Sequence, residues 1–232
     1  MRMIAVVQSR IGSSRLPGKA NASIAGRPML AHVLSRAKAI PSIDRVVLVT
    51  TDHERDTPLT RIADDLNVSS VRGRDGDVLS WFLAAAEACG ADAVMRLTGD
   101  CPLIAPEVCE RVLADYRDLL EPSVEYVSND TTVSGFPDGT DTEVFSMRLL
   151  QETAATVPQH APWVHGDREH VTTWMRRTQP QRVVRYEQDY RHLKLSVDDR
   201  SDLERVRRIF GYLEHGDYAL TATLAAVARA EG

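Results

Sequence analysis

Between Gln8 and Lys19 the chain reads QSRIGSSRLPGK, a short segment carrying three cations, three serines and two glycines. The apolar run Ile4-Ala5-Val6-Val7 before it reads as a buried strand, so these residues form the loop at that strand's carboxyl end, where open α/β sheets bind ligands. Glycine lets backbone N–H groups approach a ligand closely, and successive N–H groups in such a loop make a concave anion site. Gly12, Ser13 and Ser14 would form the cradle, with Ser9 at its root and Arg10, Arg15 and Lys19 as counter-charges. Three cations on one loop imply a highly charged anion, and a triphosphate fits. Arginine forks pair with phosphate oxygens, while lysine acts as a compact point charge. The spacing matches neither G-x-x-x-x-G-K-[ST] nor G-x-G-x-x-G, and Pro17-Gly18 supplies a turn.

A second reactive group stands in Thr98-Gly99-Asp100-Cys101-Pro102. Asp100 falls just past a strand end in a sharp turn, which projects its carboxylate over the sheet edge. Mg²⁺ takes oxygen ligands and commonly uses one or two carboxylates beside substrate phosphates, so Asp100 is the leading metal-ligand candidate. Cys101 reads as a turn residue rather than a nucleophile. Arg74 and Asp77, in the polar stretch RGRDGD before a buried helix, are candidates to contact a base edge. Such contacts discriminate well, because the wrong base leaves buried groups unpaired. Asp77 equally suits the N-cap of a helix opening at Val78. No Ser/His/Asp or Cys/His constellation stands out, which agrees with direct displacement.

The elements that must position these groups alternate. Strands are expected at Ile4–Gln8, Arg45–Thr50, Ser69–Val71 and Ala93–Leu97. Helices are expected over Pro28–Ala39, Thr57–Leu66, Val78–Cys89 and Pro106–Leu119, with Leu59, Ile62, Ala63 and Leu66 on one apolar face. This alternation predicts a three-layer α/β/α fold around a mostly parallel sheet. Ser128–Thr142 and Gln159–Gly166 read as long loops bordering an acceptor pocket or an oligomer contact. Lys194–Val197 reads as a late strand, and Ser201-x-x-Glu204 as the capping box of another helix. With 232 residues, 43% hydrophobic and 26% charged, a single domain spanning 1–232 is expected, its loop-rich segment around 128–177.

A formal charge of −5 argues against nucleic acid as a partner. No apolar run approaches the ~20 residues of a membrane span. The amino terminus enters a strand with no small-residue cleavage site, so no signal peptide is expected. Cys89, Cys101 and Cys109 show neither a disulfide framework nor zinc spacing. A cytoplasmic protein with reduced thiols is the expectation.

Several of these motifs together resemble the cytidylyltransferase family that activates acidic sugars, to which the synthetases for CMP-sialic acid and CMP-Kdo belong. The resemblance is closest to the spore-coat polysaccharide biosynthesis protein F type, at Gln8–Lys19 without a gap. It continues through Gly26–Leu30, Thr50-Thr51-Asp52, Arg72-Gly73, Arg96–Leu103, Tyr126–Asn129, Pro137-Asp138-Gly139, Glu143–Phe145, Arg168–Val171 and Leu195–Asp198. The sialic and Kdo synthetases open with a loop of different composition, which leaves their particular acceptors open here.

The resemblance implies a Rossmann-like fold of the nucleotide-diphospho-sugar transferase type. It implies Mg²⁺-dependent transfer of CMP from CTP to an acidic acceptor, a sugar acid or a small phosphonate or phosphate, with release of pyrophosphate. Surface-glycan or natural-product biosynthesis is the implied setting. Arg10, Arg15, Lys19 and Asp100 are then the catalytic set; Gln8, Ser9, Gly12, Ser13, Ser14, Arg74 and Asp77 hold CTP, with cytosine the base. Asp198 resembles the family's later metal-binding aspartate, although Asp199 and Asp202 stand beside it and a helix-start aspartate is a common structural device. Asn129, Asp138, Asp141, Glu143, Arg168 and His170 are the acceptor candidates, although Asp167–His170 equally suits a helix start. The resemblance implies a homodimer, and the region of Trp163 and Trp174 suits either an aromatic contact between subunits or buried core. The residues alone also admit a transferase using another nucleotide on a sugar phosphate, or a non-catalytic nucleotide-binding protein.

Overall fold

The computed structural model describes residues 1–118, 124–157 and 165–232. The chain forms strands β1 (Met3–Gln8), β2 (Ser23–Ile24) and β3 (Arg27–Pro28), helix α1 (Met29–Lys38), then β4 (Arg45–Thr51), α2 (Thr57–Asp65), β5 (Ser69–Gly73), α3 (Val78–Cys89), β6 (Ala93–Thr98) and α4 (Pro106–Arg117). The second half holds β7 (Tyr126–Ser128), β8 (Glu143–Ser146), α5 (Met147–Thr156), α6 (His165–His170), α7 (Thr173–Thr178), β9 (Arg182–Val183), α8 (Arg200–Phe210) and α9 (Leu220–Glu231).

The main sheet runs β5-β4-β1-β6-β8-β7-β9, and β2 pairs with β3 in a separate ribbon. All the main-sheet strands are parallel except β8, which lies antiparallel to both β6 and β7. Side chains alternate across the pleat. Met3, Ala5 and Val7 therefore pack with α1, α2 and α4 on one face, while Ile4 and Val6 pack with α3, α5 and α7 on the other. That alternation makes the three layers. A further apolar cluster joins α8 and α9 to Ile24, Met29, Leu195 and Val197.

The crevice follows from the connectivity. β1 lies between β4 and β6, so the chain leaves the carboxyl ends of β1 and β6 side by side, a site where open α/β sheets bind ligands. Past the strands, the Gly99 N–H donates to the Gln8 carbonyl at 2.8 Å and keeps the two exits in register. A Cβ on Gly99 would stand 2.6 Å from the Ser9 side chain and 2.9 Å from the Gln8 carbonyl oxygen. Gly99→Ala is therefore expected to lose about 1–3 kcal/mol of stability by overpacking, measured as a lower unfolding midpoint, and to separate the two loops.

The first-half elements lie where the periodicity places them, and α3 spans Val78–Cys89 as expected. Two later expectations are corrected. Lys194–Val197 is not a strand of the sheet: it makes one parallel bridge, Lys194 to Asp138, and Val197 donates to the Asp100 carbonyl at 2.8 Å. β6 already has β1 and β8 on its two edges, so no edge is open beside it. The capping box of α8 lies two residues earlier than read, with Asp199 accepting from the Asp202 N–H and the Asp202 carboxylate accepting from the Asp199 N–H. Either aspartate serves as well as Ser and Glu, and the earlier pair starts the helix. Of the loop read at Gln159–Gly166, residues 159–164, Trp163 among them, lie outside the described residues, and His165-Gly166 open α6. Trp174 is partly buried against the α3-side core.

Candidate active site

The loop after β1 is held at its root. Ile11 donates its N–H to the carboxylate of fully buried Asp56 at 2.8 Å, and Ser9 donates to the Val49 carbonyl at 3.1 Å. The Ile11 carbonyl accepts from both Ser13 (2.8 Å) and Gly18 (3.0 Å), closing the loop on itself. Gly18 makes that closure at φ 78°, the left-handed region glycine enters without steric cost. The N–H groups of Gly12, Ser14 and Arg15 have no acceptor among the described residues, which leaves them for a ligand. Gly12 itself has the Arg55 guanidinium 2.9 Å from where a Cβ would stand, so glycine at this position admits that arginine.

Two cavities of about 300 Å³ each meet at Asp100 and share Arg96, Thr98 and Asp198. One carries the loop residues Gln8, Ser9, Arg10, Ser13, Ser14, Arg15 and Lys19 together with Glu169 and His170. The other carries Asn129, Asp138, Asp141, Glu143, Arg176 and Ser196. A larger, mostly apolar cavity of about 510 Å³, between Ala39, Pro106, Arg111 and Tyr218, holds neither the residues of the loop after β1 nor Asp100 and Asp198.

Lys19 stands at the junction. Its ammonium lies 3.0 Å from Asp100 Oδ2, 2.6 Å from the Val197 carbonyl and 3.6 Å from Asp198 Oδ1, with its side chain only 12% exposed. Asp198 also meets Arg15 at 2.7 Å and Lys194 at 3.0 Å. Burial alone would push the Asp100 carboxyl up, but the Lys19 charge and hydrogen bond, with the Thr98 hydroxyl, hold it below the usual carboxylate range. The bridge at Lys194 and the Val197 to Asp100 bond are what bring Asp198, almost a hundred residues later, onto the same ammonium. Among the described residues no group of three or more His, Cys, Asp or Glu could hold an ion. A pair of carboxylates converging on one cation suits Mg²⁺, which completes its shell with phosphates and water. Burial also pushes the Cys101 thiol well up, with Asp100 and Asp141 adding to it, so it stays protonated and non-nucleophilic.

Several expected contacts are made within the protein instead. Arg168 is 4% exposed and donates to Asp77 (2.7 Å), to the Ser80 hydroxyl (2.8 Å) and to the Val157 carbonyl (2.7 Å). Asp77 caps α3 through the Ser80 N–H and hydroxyl. Neither residue, nor exposed Arg74, lines either cavity. The expectation that Arg168 faces an acceptor is thus corrected: a buried guanidinium needs a carboxylate partner, and Asp77 supplies it. Asn129 reaches the second cavity, but its amide is tied at both ends, to the Thr140 carbonyl (2.8 Å) and the Thr142 N–H (2.7 Å). Arg10 lies between Asp75 (3.0 Å) and Glu169 (2.6 Å).

In the second cavity, Asp138 accepts from the Ser196 hydroxyl at 2.7 Å. Asp141 accepts from the Thr131 hydroxyl (2.7 Å) and the Gly139 N–H (2.9 Å). Burial, which outweighs those bonds, pushes its carboxyl up. Glu143 accepts from the Tyr126 and Thr172 hydroxyls and pairs with Arg96. Gly139 has φ 93° and no room for a Cβ, which would meet the Ser196 N–H at 2.5 Å. Gly139→Ala is expected to lose roughly 1–3 kcal/mol through backbone strain and to displace Asp138 and Asp141, seen as a lower unfolding midpoint. Val171, a β-branched residue at φ 59°, is a second strained point. It is fully buried beside the core and sits between His170, which lines the first cavity, and Thr172 on Glu143.

Arg96, Thr98, Glu169, Arg176 and Ser196 line the crevice and escape sequence reading. Arg96 and Thr98 had a signal: with Asp100 they recur at every second position, one face of a strand. Glu169 on α6, Arg176 on α7 and Ser196 on the late segment had no such periodic signal, because elements far along the chain bring them to the crevice.

Comparison with known proteins identifies the family. The sequence profile of the cytidylyltransferase family matches residues 4–198. A cytidylyltransferase structure from Leptospira borgpetersenii superposes with a TM-score of 0.90 at 25% identity, covering 99% of this chain and 94% of that one. The spore coat polysaccharide biosynthesis protein SpsF of Bacillus subtilis is 25% identical over 88% of this chain and 85% of its own. A 3-deoxy-manno-octulosonate cytidylyltransferase of Anaeromyxobacter is 39% identical over 49% of this chain, a match spanning about half of that enzyme (47%). Among the described residues no helix is long and apolar enough to cross a membrane. That profile match spans most of the chain, and the chain belongs to the cytidylyltransferase family of nucleotidyltransferase enzymes.

Proposed function

We propose that the protein transfers CMP from CTP to an acidic acceptor, releasing pyrophosphate, with a divalent ion held by Asp100 and Asp198. The observation that carries this reading is the crevice itself. A loop with unpartnered N–H groups and two cations, Arg15 and Lys19, faces two carboxylates that converge on the Lys19 ammonium. The name of the octulosonate cytidylyltransferase relative supports CTP and a sugar-acid acceptor, and that of the spore-coat relative supports a polysaccharide setting.

In this reading the triphosphate lies along the loop after β1. Gly12, Ser14 and Arg15 donate N–H groups to its oxygens, and Arg15 and Lys19 neutralise the departing pyrophosphate. The acceptor occupies the second cavity and presents an oxygen across Asp100 toward the α-phosphorus. A new P–O bond forms to the acceptor as the bond from the α-phosphorus to the bridging oxygen breaks. Positioning and charge do most of this work. A divalent ion, when bound, would withdraw charge from the phosphate oxygens. With Arg168 enclosed, the arginines open to the acceptor are Arg96 and Arg176, both lining the second cavity. A homodimer and a cytoplasmic setting complete the reading.

Pyrophosphate release from CTP, UTP, GTP and ATP, each with Mg²⁺ and pools of sugar acids, sugar phosphates and phosphonates, tests it. Release confined to CTP with an acid pool is expected. Equal release from UTP would remove the cytosine assignment. Lys19→Ala should weaken CTP binding about 10- to 150-fold, the value of a hydrogen bond to a charged group, while leaving acceptor affinity nearly unchanged; isothermal titration checks both.

A further inference from the structure

We infer that Lys19 is a resident cation that keeps the metal site closed until a triphosphate withdraws it, so that divalent-ion binding is conditional on nucleotide. The inference rests on the assignment of Asp100 and Asp198 as ligands. Lys19, Arg15 and Lys194 face Asp100, Asp198 and Asp202, and Arg205 also pairs with Asp202, so four cations meet three carboxylates. Both oxygens of Asp198 are engaged, Oδ1 by Arg15 and Lys19 and Oδ2 by Lys194. A dication approaching this cluster, whose carboxylates are already matched by cations, meets no net attraction, and it must displace an ammonium that is nearly enclosed and would keep only the Val197 carbonyl. Desolvating an ammonium without a carboxylate is unfavourable.

A triphosphate changes that balance. Lys19 and Arg15 belong to the loop that would bind it, so its oxygens offer both side chains an alternative partner close by. Once they turn, Asp100 loses its only cation among the described residues and Asp198 keeps, among them, Lys194 alone, and both carboxylates become available. Lys194 cannot follow, because it lies on the late segment and is also held by Asp202 at 2.5 Å. Metal and triphosphate then favour each other, and the coupling is reciprocal. An ion chelated by free nucleotide enters with its carrier, but the closed state of the bare protein belongs to Lys19.

The test reads binding rather than turnover. Mn²⁺ alone is titrated into the full-length protein and followed by the loss of the free-ion electron paramagnetic resonance signal. Wild type should bind Mn²⁺ weakly; Lys19→Met should bind it roughly 10-fold or more tightly, within the usual span of coupling between sites. Adding Asp100→Asn to that variant should abolish the gain. Lys194→Gln, which removes a cation from Asp198 without touching the loop, should give a smaller gain and guards against a Lys19→Met protein that fails to fold. Unchanged Mn²⁺ affinity in both folded variants would overturn the inference. A titration of CTP in EDTA runs alongside: absence of CTP binding would defeat the functional reading while the Mn²⁺ comparison still decides the role of Lys19.

Discussion

Asp100→Asn is expected to reduce turnover at least about 100-fold, the scale seen when one electrostatic contact to a reacting centre is removed, while the protein remains folded. The side chain sits at the turn after β6, one-third exposed, and asparagine is its isostere. The substitution removes the charge that pairs with Lys19 and, in the proposed reading, would offer a divalent ion a single neutral oxygen. CTP binding in EDTA should be retained, because the triphosphate loop is anchored independently through Asp56 and Val49. Steady-state kinetics and calorimetry measure the two effects separately. Full activity would place the metal elsewhere. There is also a dependence on pH. The fold holds the Asp100 carboxyl below its ordinary value, so its stabilising contribution is present above the unfolded pKa of about 3.9. It is lost as the pH falls through the lower folded value. The stability difference between wild type and Asp100→Asn should accordingly narrow in acid.

Arg168→Met is expected to act on stability rather than on recognition. The guanidinium is almost fully enclosed and donates to Asp77, Ser80 and the Val157 carbonyl, tying α6 to the start of α3 and the end of α5. Breaking a buried ion pair from one side costs about 3–5 kcal/mol; Asp77 is one-quarter exposed, which places the expected loss near 3. For a chain of this size that lowers the unfolding midpoint by about 6–12 °C. Acceptor KM at a temperature where the variant is folded should change little. An acceptor-reading arginine would give the opposite pattern, an unchanged midpoint with a raised KM, and calorimetry beside kinetics separates the two. The double variant Arg168→Met, Asp77→Leu should recover part of the loss, since no charge is then left unpaired.

The periodicity of the first half was sufficient to place its elements. Val78–Cys89 is an apolar run with an aspartate before it and a glycine after it, and it is α3 to the residue. Ile4–Gln8 and Ala93–Leu97 lack only one residue at an end. Those elements obey local rules: apolar period, cap and turn residues. Lys194–Val197 obeys the same local rule and is nevertheless no strand, because whether an extended segment joins a sheet depends on a free edge, and β6 has none.

The same division runs through the candidate site. The sequence by itself determined the loop from Gln8 to Lys19 and the Asp100 turn, because both are contiguous and their residue types state their chemistry. Only the tertiary structure decided which charges meet which. Arg168 could have faced solvent, an acceptor or a partner, and the packing of α6 on α3 settles it on Asp77. Asp198 could have been a helix cap, yet Asp199 takes that role, and the bond from Val197 to Asp100 carries Asp198 to Lys19. A charged side chain is promiscuous in sequence, since any opposite charge will serve; burial and distance select one partner, and both are properties of the folded chain.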